Sequence, residues 1–177
     1  MRRATMRLMK LLSTLIVFAG LSLAQGPVMQ AVIPQYEAVK QNFVEAAEAM
    51  PEAEYGFKLS PAQRPYAEWV SHTAGMNARM CAQMKGAQAA PPSTGDNSKA
   101  ALVKALKDSF QYCDATLREM TDEAALKTVG SGARPVTPLG IMISQIAQLS
   151  SHYGNMVGYL RAKGVVPPST ARGMQKK

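Results

Sequence analysis

From Pro135 to Leu160 the chain runs 26 residues without a charged side chain, and this constrains its fold more than any other feature. Thr137 before Pro138 supplies an N-cap followed by proline at the first helical position, and Gly164 supplies a stop, so the segment predicts one long helix. At about 100° per residue it sorts into three faces. Met142, Ile146, Leu149, Tyr153, Met156 and Leu160 form an apolar stripe. Ser144, Ala147, Ser151, Gly154 and Gly158 form a small face that would let a neighbouring helix approach closely. Gln145, Gln148, His152, Asn155 and Tyr159 form an uncharged polar stripe. A solvated face would carry Lys and Glu. This stripe therefore reads as enclosed, and enclosed polar groups need partners. The same groups make insertion into a bilayer costly, so the segment is a central bundle helix and not a membrane span.

The first 24 residues have the pattern of a leader. Arg2, Arg3, Arg7 and Lys10 precede an apolar run from Leu11 to Leu23, and Ser22-Leu23-Ala24 fits a signal-peptidase site, with Gln25 as the mature N-terminus. The apolar run falls short of the roughly 20 residues that span a bilayer, which favours cleavage over an anchor. No cysteine lies near the site to make a lipoprotein. The predicted mature protein, residues 25–177, is exported to the periplasm or secreted. Removing the four leader cations from 20 Lys and Arg leaves 16 against 12 Asp and Glu, and no basic stripe survives to bind nucleic acid.

Every other periodic segment is helical too. A first helix is predicted from Gln35 to Met50, with Tyr36, Val39, Phe43, Ala47 and Met50 on one face. A second follows from Tyr66 to Lys85 and stops at Gly86; a third runs from Ser98 to Met120 with Leu102, Leu106, Phe110, Cys113 and Leu117 in register. Thr121-Asp122-Glu123 caps a short extra turn, and 165–177 reads as a polar tail. Four helices in one domain of this size predict an all-α four-helix bundle, with methionine as core filler.

The string from His152 to Gly164, ending in Val166-Pro167-Pro168, resembles the C-terminal signature of the DinB-like superfamily. Trp69-Val70-Ser71-His72 resembles that family's first histidine motif, and Phe110 to Asp114 its third-helix block. The resemblance implies up-down-down-up connectivity. It also implies a divalent metal, zinc or nickel, held by one histidine of the second helix and an H-x-x-x-H pair on the fourth. His72 and His152 match, but Gln148 stands where the family has histidine. The spacing keeps Gln148 on the face of His152, yet a neutral amide oxygen is a poorer ligand than imidazole. Parallel second and third helices, also implied, would bring Cys81 and Cys113 to matching height for a disulfide; the other reading is two buried thiols.

Related members include thiol-dependent S-transferases and a maleylpyruvate isomerase. The thiol branch fits an exported chain poorly, because its cosubstrates are cytoplasmic. Two readings stand: a metal-assisted hydrolase- or transferase-like enzyme on a small molecule, or a non-catalytic bundle that binds a small molecule or partner, a homodimer included. His72, Gln148 and His152 are expected to converge on a cleft at the mouth of the bundle. The ordinary reading of His152 is a buried hydrogen bond to His72, Gln148 or Asn155, and that of Arg161 and Lys163 a favourable interaction with exposed carbonyls and the helix dipole; Tyr153 on the apolar stripe is expected in the core, and Tyr159 on the polar stripe within reach of the site. No nucleophile–base pair is visible, since Ser150 and Ser151 are adjacent on a helix and point to different faces.

Overall fold

The computed structural model describes residues 25–88, 96–130 and 135–175. The expected leader, residues 1–24, lies outside them. Six α-helices follow in order: α1 (Pro27–Ala49), α2 (Tyr66–Met84), α3 (Lys99–Arg118), α4 (Asp122–Leu126), α5 (Pro138–Ala162) and α6 (Pro168–Gln175). Among the described residues there is no strand, only an isolated bridge between Val129 and Val136. None of their helices is long and apolar enough to cross a membrane. The bundle consists of α1, α2, α3 and α5, with α4 and α6 as short additions.

Residue pairs between helices give their directions. Asn77 meets Ser109 and Cys81 joins Cys113, four residues on along each helix, so α2 and α3 run parallel. Tyr36 and Lys40 meet Asp114 while Lys107 meets Glu48, so α1 and α3 are antiparallel. Thr73 meets His152 while Asn77 meets Gln145, so α2 and α5 are antiparallel as well. Between them the helices bury Tyr36, Phe43, Leu102, Leu106, Leu149 and Leu160 completely or nearly so. Methionines fill the same core, with Met29, Met50, Met142 and Met156 almost wholly enclosed.

The helix ends follow the sequence signals closely for α5. Thr137 Oγ1 accepts from Gly140 N at 3.1 Å, and Pro138 opens the helix. Gly164 closes it at φ +71°, with Val165 N donating to Leu160 O and Gly164 N to Arg161 O, the paired bonds that a left-handed glycine permits. Thr137→Ala is expected to cost about 1 kcal/mol, because it strands an N-terminal N–H of the longest helix. Urea denaturation measures this; a change within error would mean that solvent replaces the cap.

Three expectations are corrected. The first helix begins at Pro27, not Gln35, and continues through Pro34. A proline inside a helix forfeits one hydrogen bond. Here the preceding turns are held by other means: Met29 is buried, and the Asp122 carboxylate accepts from Val28 N and Met29 N, both at 2.9 Å. An acid at a helix N-terminus also meets the favourable end of its dipole. The tail is not simply polar, since α6 packs on α1 through Arg172, which bonds Glu45 and Asn42. The small face of α5 admits no close helix: Ser144, Ala147, Ser151 and Gly154 are exposed, and Gly158 faces Leu59 of the α1–α2 connection.

Candidate metal centre

The antiparallel packing of α2 on α5 brings the only two histidines of the chain together. The rings of His72 and His152 lie with centroids 5.2 Å apart and planes at 55°. Trp69, one turn before Thr73 on α2, packs its ring 5.3 Å from His152 and forms an apolar wall. His152 Nδ1 lies 3.4 Å from Thr73 Oγ1, a side chain with no exposed surface. That contact occupies one ring nitrogen and leaves Nε2 as the free one, which is how proteins commonly orient a ligating imidazole. Both histidines are half-buried.

Electrostatics keep the pair neutral. Burial lowers the pKa of His152 below the ordinary value, assisted by His72 and Arg64. Burial likewise lowers His72, with Arg64 and Arg79 acting in the same direction and Glu68 opposing them. At pH 7 both rings therefore carry a lone pair, the form that binds a metal ion.

Gln148 does not join them in the same way. It is exposed on α5, and its Nε2 points toward Met80 Sδ at 3.9 Å. Among the described residues no group of three or more His, Cys, Asp or Glu side chains is placed to hold a metal. The donor set is two imidazoles, with one amide a turn away. Zinc in catalytic sites is commonly held by three protein ligands. The residues fit a weak divalent site completed by water or substrate, not a tight one.

The polar stripe of α5 also divides instead of lining one cleft. Gln145 is fully buried and turns to Asn77 and the Cys81–Cys113 disulfide, away from the histidines. Asn155 donates to Ser151 O on its own helix. Tyr159 does not reach the site: its hydroxyl donates to Arg64 O at 2.6 Å and braces the connection before α2. Lys163 pairs with Glu54 at 2.6 Å and sits 3.9 Å over Phe57, so it answers more than the helix dipole. Thr73 is the partner of His152 that the sequence does not reveal; Arg64 is an unforeseen charged neighbour of both rings, and Arg79 of His72. A concavity of about 760 Å³ lies elsewhere, between α1 and α3 beside Phe110, Lys40 and Asp114. Its central lysine is already bonded to Asp114 at 2.9 and 3.0 Å. The histidine pair, and not the groove, has the chemistry.

The sequence from residue 35 to 156, more than half the chain, matches the profile of the DinB superfamily. The chain belongs to that superfamily. Solved structures agree in fold. A DinB-like protein from Bacillus cereus superposes with a TM-score of 0.69 at 11% identity, covering 78% of this chain and 95% of its own. The DinB-like protein YjoA of Bacillus subtilis gives 0.64 at 20% identity, covering 76% and 92%. The mycothiol-dependent maleylpyruvate isomerase gives 0.60 at 13% identity, covering 72% of this chain and 60% of that one. No curated protein matches this sequence.

Proposed function

We propose that this DinB superfamily member is an exported, metal-assisted enzyme of hydrolase or transferase type, with a degenerate divalent site at His72 and His152. The observation that carries the reading is the 5.2 Å approach of the two rings from separate helices. A divalent ion bound there would supply Lewis acidity to a substrate oxygen or to water. The protein's own part is to fix the imidazoles, His152 through Thr73, to place the Trp69 wall beside them, and to leave Gln148 one turn away as a weak third donor. That a protein of the same fold, the mycothiol-dependent maleylpyruvate isomerase, is an enzyme supports a catalytic reading without naming the reaction. The leader-like residues 1–24 and the disulfide, a bond that persists in oxidising compartments, support export to the periplasm or beyond.

Zinc and nickel titrations of the mature protein, with elemental analysis of the purified material, test this. Weak one-to-one binding is expected in the parent and none in His72→Ala. Gln148→His restores a third imidazole at helical spacing and is expected to tighten binding at least about tenfold. Because both histidine pKa values are depressed, uptake should hold at neutral pH and decline only as pH falls below the ordinary histidine value of about 6.5. Equal heats from the parent and His72→Ala would sink the metal reading. The second reading, a non-catalytic binding bundle, would then stand; it is favoured by the direction of Gln148 toward Met80.

A further inference from the structure

The surface around the histidine pair is electrically lopsided. The helix α5 brings no charge to it, because 135–160 holds no Asp, Glu, Lys or Arg. The charges come from α2 and the residues just before it: Arg64, Glu68 and Arg79. Arg64 lies over the Trp69 ring at 5.4 Å, on a side chain that also touches His152. Its Nε pairs with Glu68 at 3.3 Å, which offsets its charge in part. Arg79 has no acidic partner among the described residues.

The position of Arg79 depends on a glycine. His72, Gly75 and Arg79 fall on one face of α2, at the i, i+3 and i+7 spacing of neighbouring turns. A methyl group on Gly75 would sit 3.3 Å from Arg79 Nη1, so the guanidinium folds back over Gly75 toward His72. Glycine inside a helix costs about 1 kcal/mol relative to alanine, and here its lack of a side chain gives the guanidinium a seat.

We propose that this face binds a small oxyanion, the carboxylate or phosphate group of the substrate, between Arg79 and the His72–His152 pair, with Arg64 as the second cation. The inference rests on the histidine pair being the site, as argued above, and names the class of molecule that it takes. A guanidinium offers a planar fork that matches either group. Neutral imidazoles beside it bring no charge of their own, and His72 has one N–H to donate to the anion. The flat Trp69 ring suits the apolar part of the same molecule.

The test uses metal-free mature protein, so that it does not depend on the metal site. Inorganic phosphate and acetate are titrated separately while the imidazole resonances of His72 and His152 and the Nε–H resonances of Arg64 and Arg79 are followed by NMR. Saturable shifts of His72 and Arg79 are expected with at least one of the two anions, and whichever binds tighter identifies the phosphate or carboxylate source. Arg79→Gln is expected to weaken that binding about tenfold and Arg64→Gln by less, as loss of one charge-assisted contact predicts. Both are surface substitutions that leave the core intact. Absence of saturable shifts with either anion overturns the proposal, as does equal affinity in the parent and Arg79→Gln. Zinc titration of Arg79→Gln separates the two readings. Anion binding lost with zinc binding kept supports this inference alongside the metal site; anion binding at Arg79 in a protein that takes no zinc supports it while the metal reading falls.

Discussion

Replacing Cys81 and Cys113 together by alanine is expected to lower stability by roughly 3–4 kcal/mol, the loop-closure value for a bridge spanning a few tens of residues. The bridge joins α2 to α3 with Cα atoms 5.3 Å apart and a sequence separation of 32. The two helices are parallel, so the bond closes a loop that takes in the whole stretch of chain between Met84 and Lys99. That connection leaves the unfolded chain much freedom, which the covalent link removes. Both cysteines are fully buried, so reducing agent should act slowly on the native protein and readily once it is unfolded. At about 2–4 °C per kcal/mol for a chain of this size, the melting temperature should fall by roughly 10 °C. Thiol titration of unreduced, denatured protein checks the premise. Two free thiols there would sink the expectation, and an alanine pair as stable as the parent would show that the native state gains nothing from the bond.

The helices were legible wherever capping and periodicity agreed. Thr137-Pro138 and Gly164 set the ends of α5, and Gly86 set the end of α2, because these signals act locally. The start of α1 was hidden because its stabilising partner is distant: the Asp122 cap lies more than 90 residues away in sequence. Pro34 alone argued for a break. The tail concealed α6 for a similar reason, since Tyr153 anchors it through Ser169 at 2.8 Å and Arg172 reaches across to Glu45. At the site, the histidine pair followed from the motifs on α2 and α5, whereas its surroundings did not. A stripe on a helical wheel has no depth, and so Gln145, Gln148 and Asn155 looked equivalent. In the fold the first is in the core and the second at the surface, because the α2–α5 contact follows one line along the helix and not its whole polar face. Thr73 was invisible for the same reason. Its hydroxyl gains meaning only when α5 arrives.

Asn77→Ala is expected to destabilise the bundle by about 2–4 kcal/mol, more than an ordinary truncation of a small polar side chain, because of what it strands. Asn77 has no exposed surface and sits at the crossing of four elements. Its Oδ1 accepts from Gln145 Nε2 of α5, and its Nδ2 donates to Ser109 Oγ of α3 at 3.3 Å; Ser109 in turn donates to Leu106 O at 2.7 Å. The Tyr36 phenol of α1 is close enough for Asn77 to ease the upward shift that burial, and next the Asp114 charge, impose on it. Without Asn77 the Gln145 N–H loses its oxygen acceptor and faces only the disulfide sulfurs at 3.3 and 3.5 Å, while Gln145 Oε1 already has no partner among the described residues. A second substitution makes the argument sharp. Gln145→Met in the parent strands Asn77 Oδ1 and should destabilise. In the Asn77→Ala background it removes a stranded amide of similar length and should stabilise, by about 1 kcal/mol or more. Urea denaturation of the four proteins measures this change of sign. If Gln145→Met has the same effect in both backgrounds, the two amides are not coupled, and the buried polar layer contributes no more than its separate contacts.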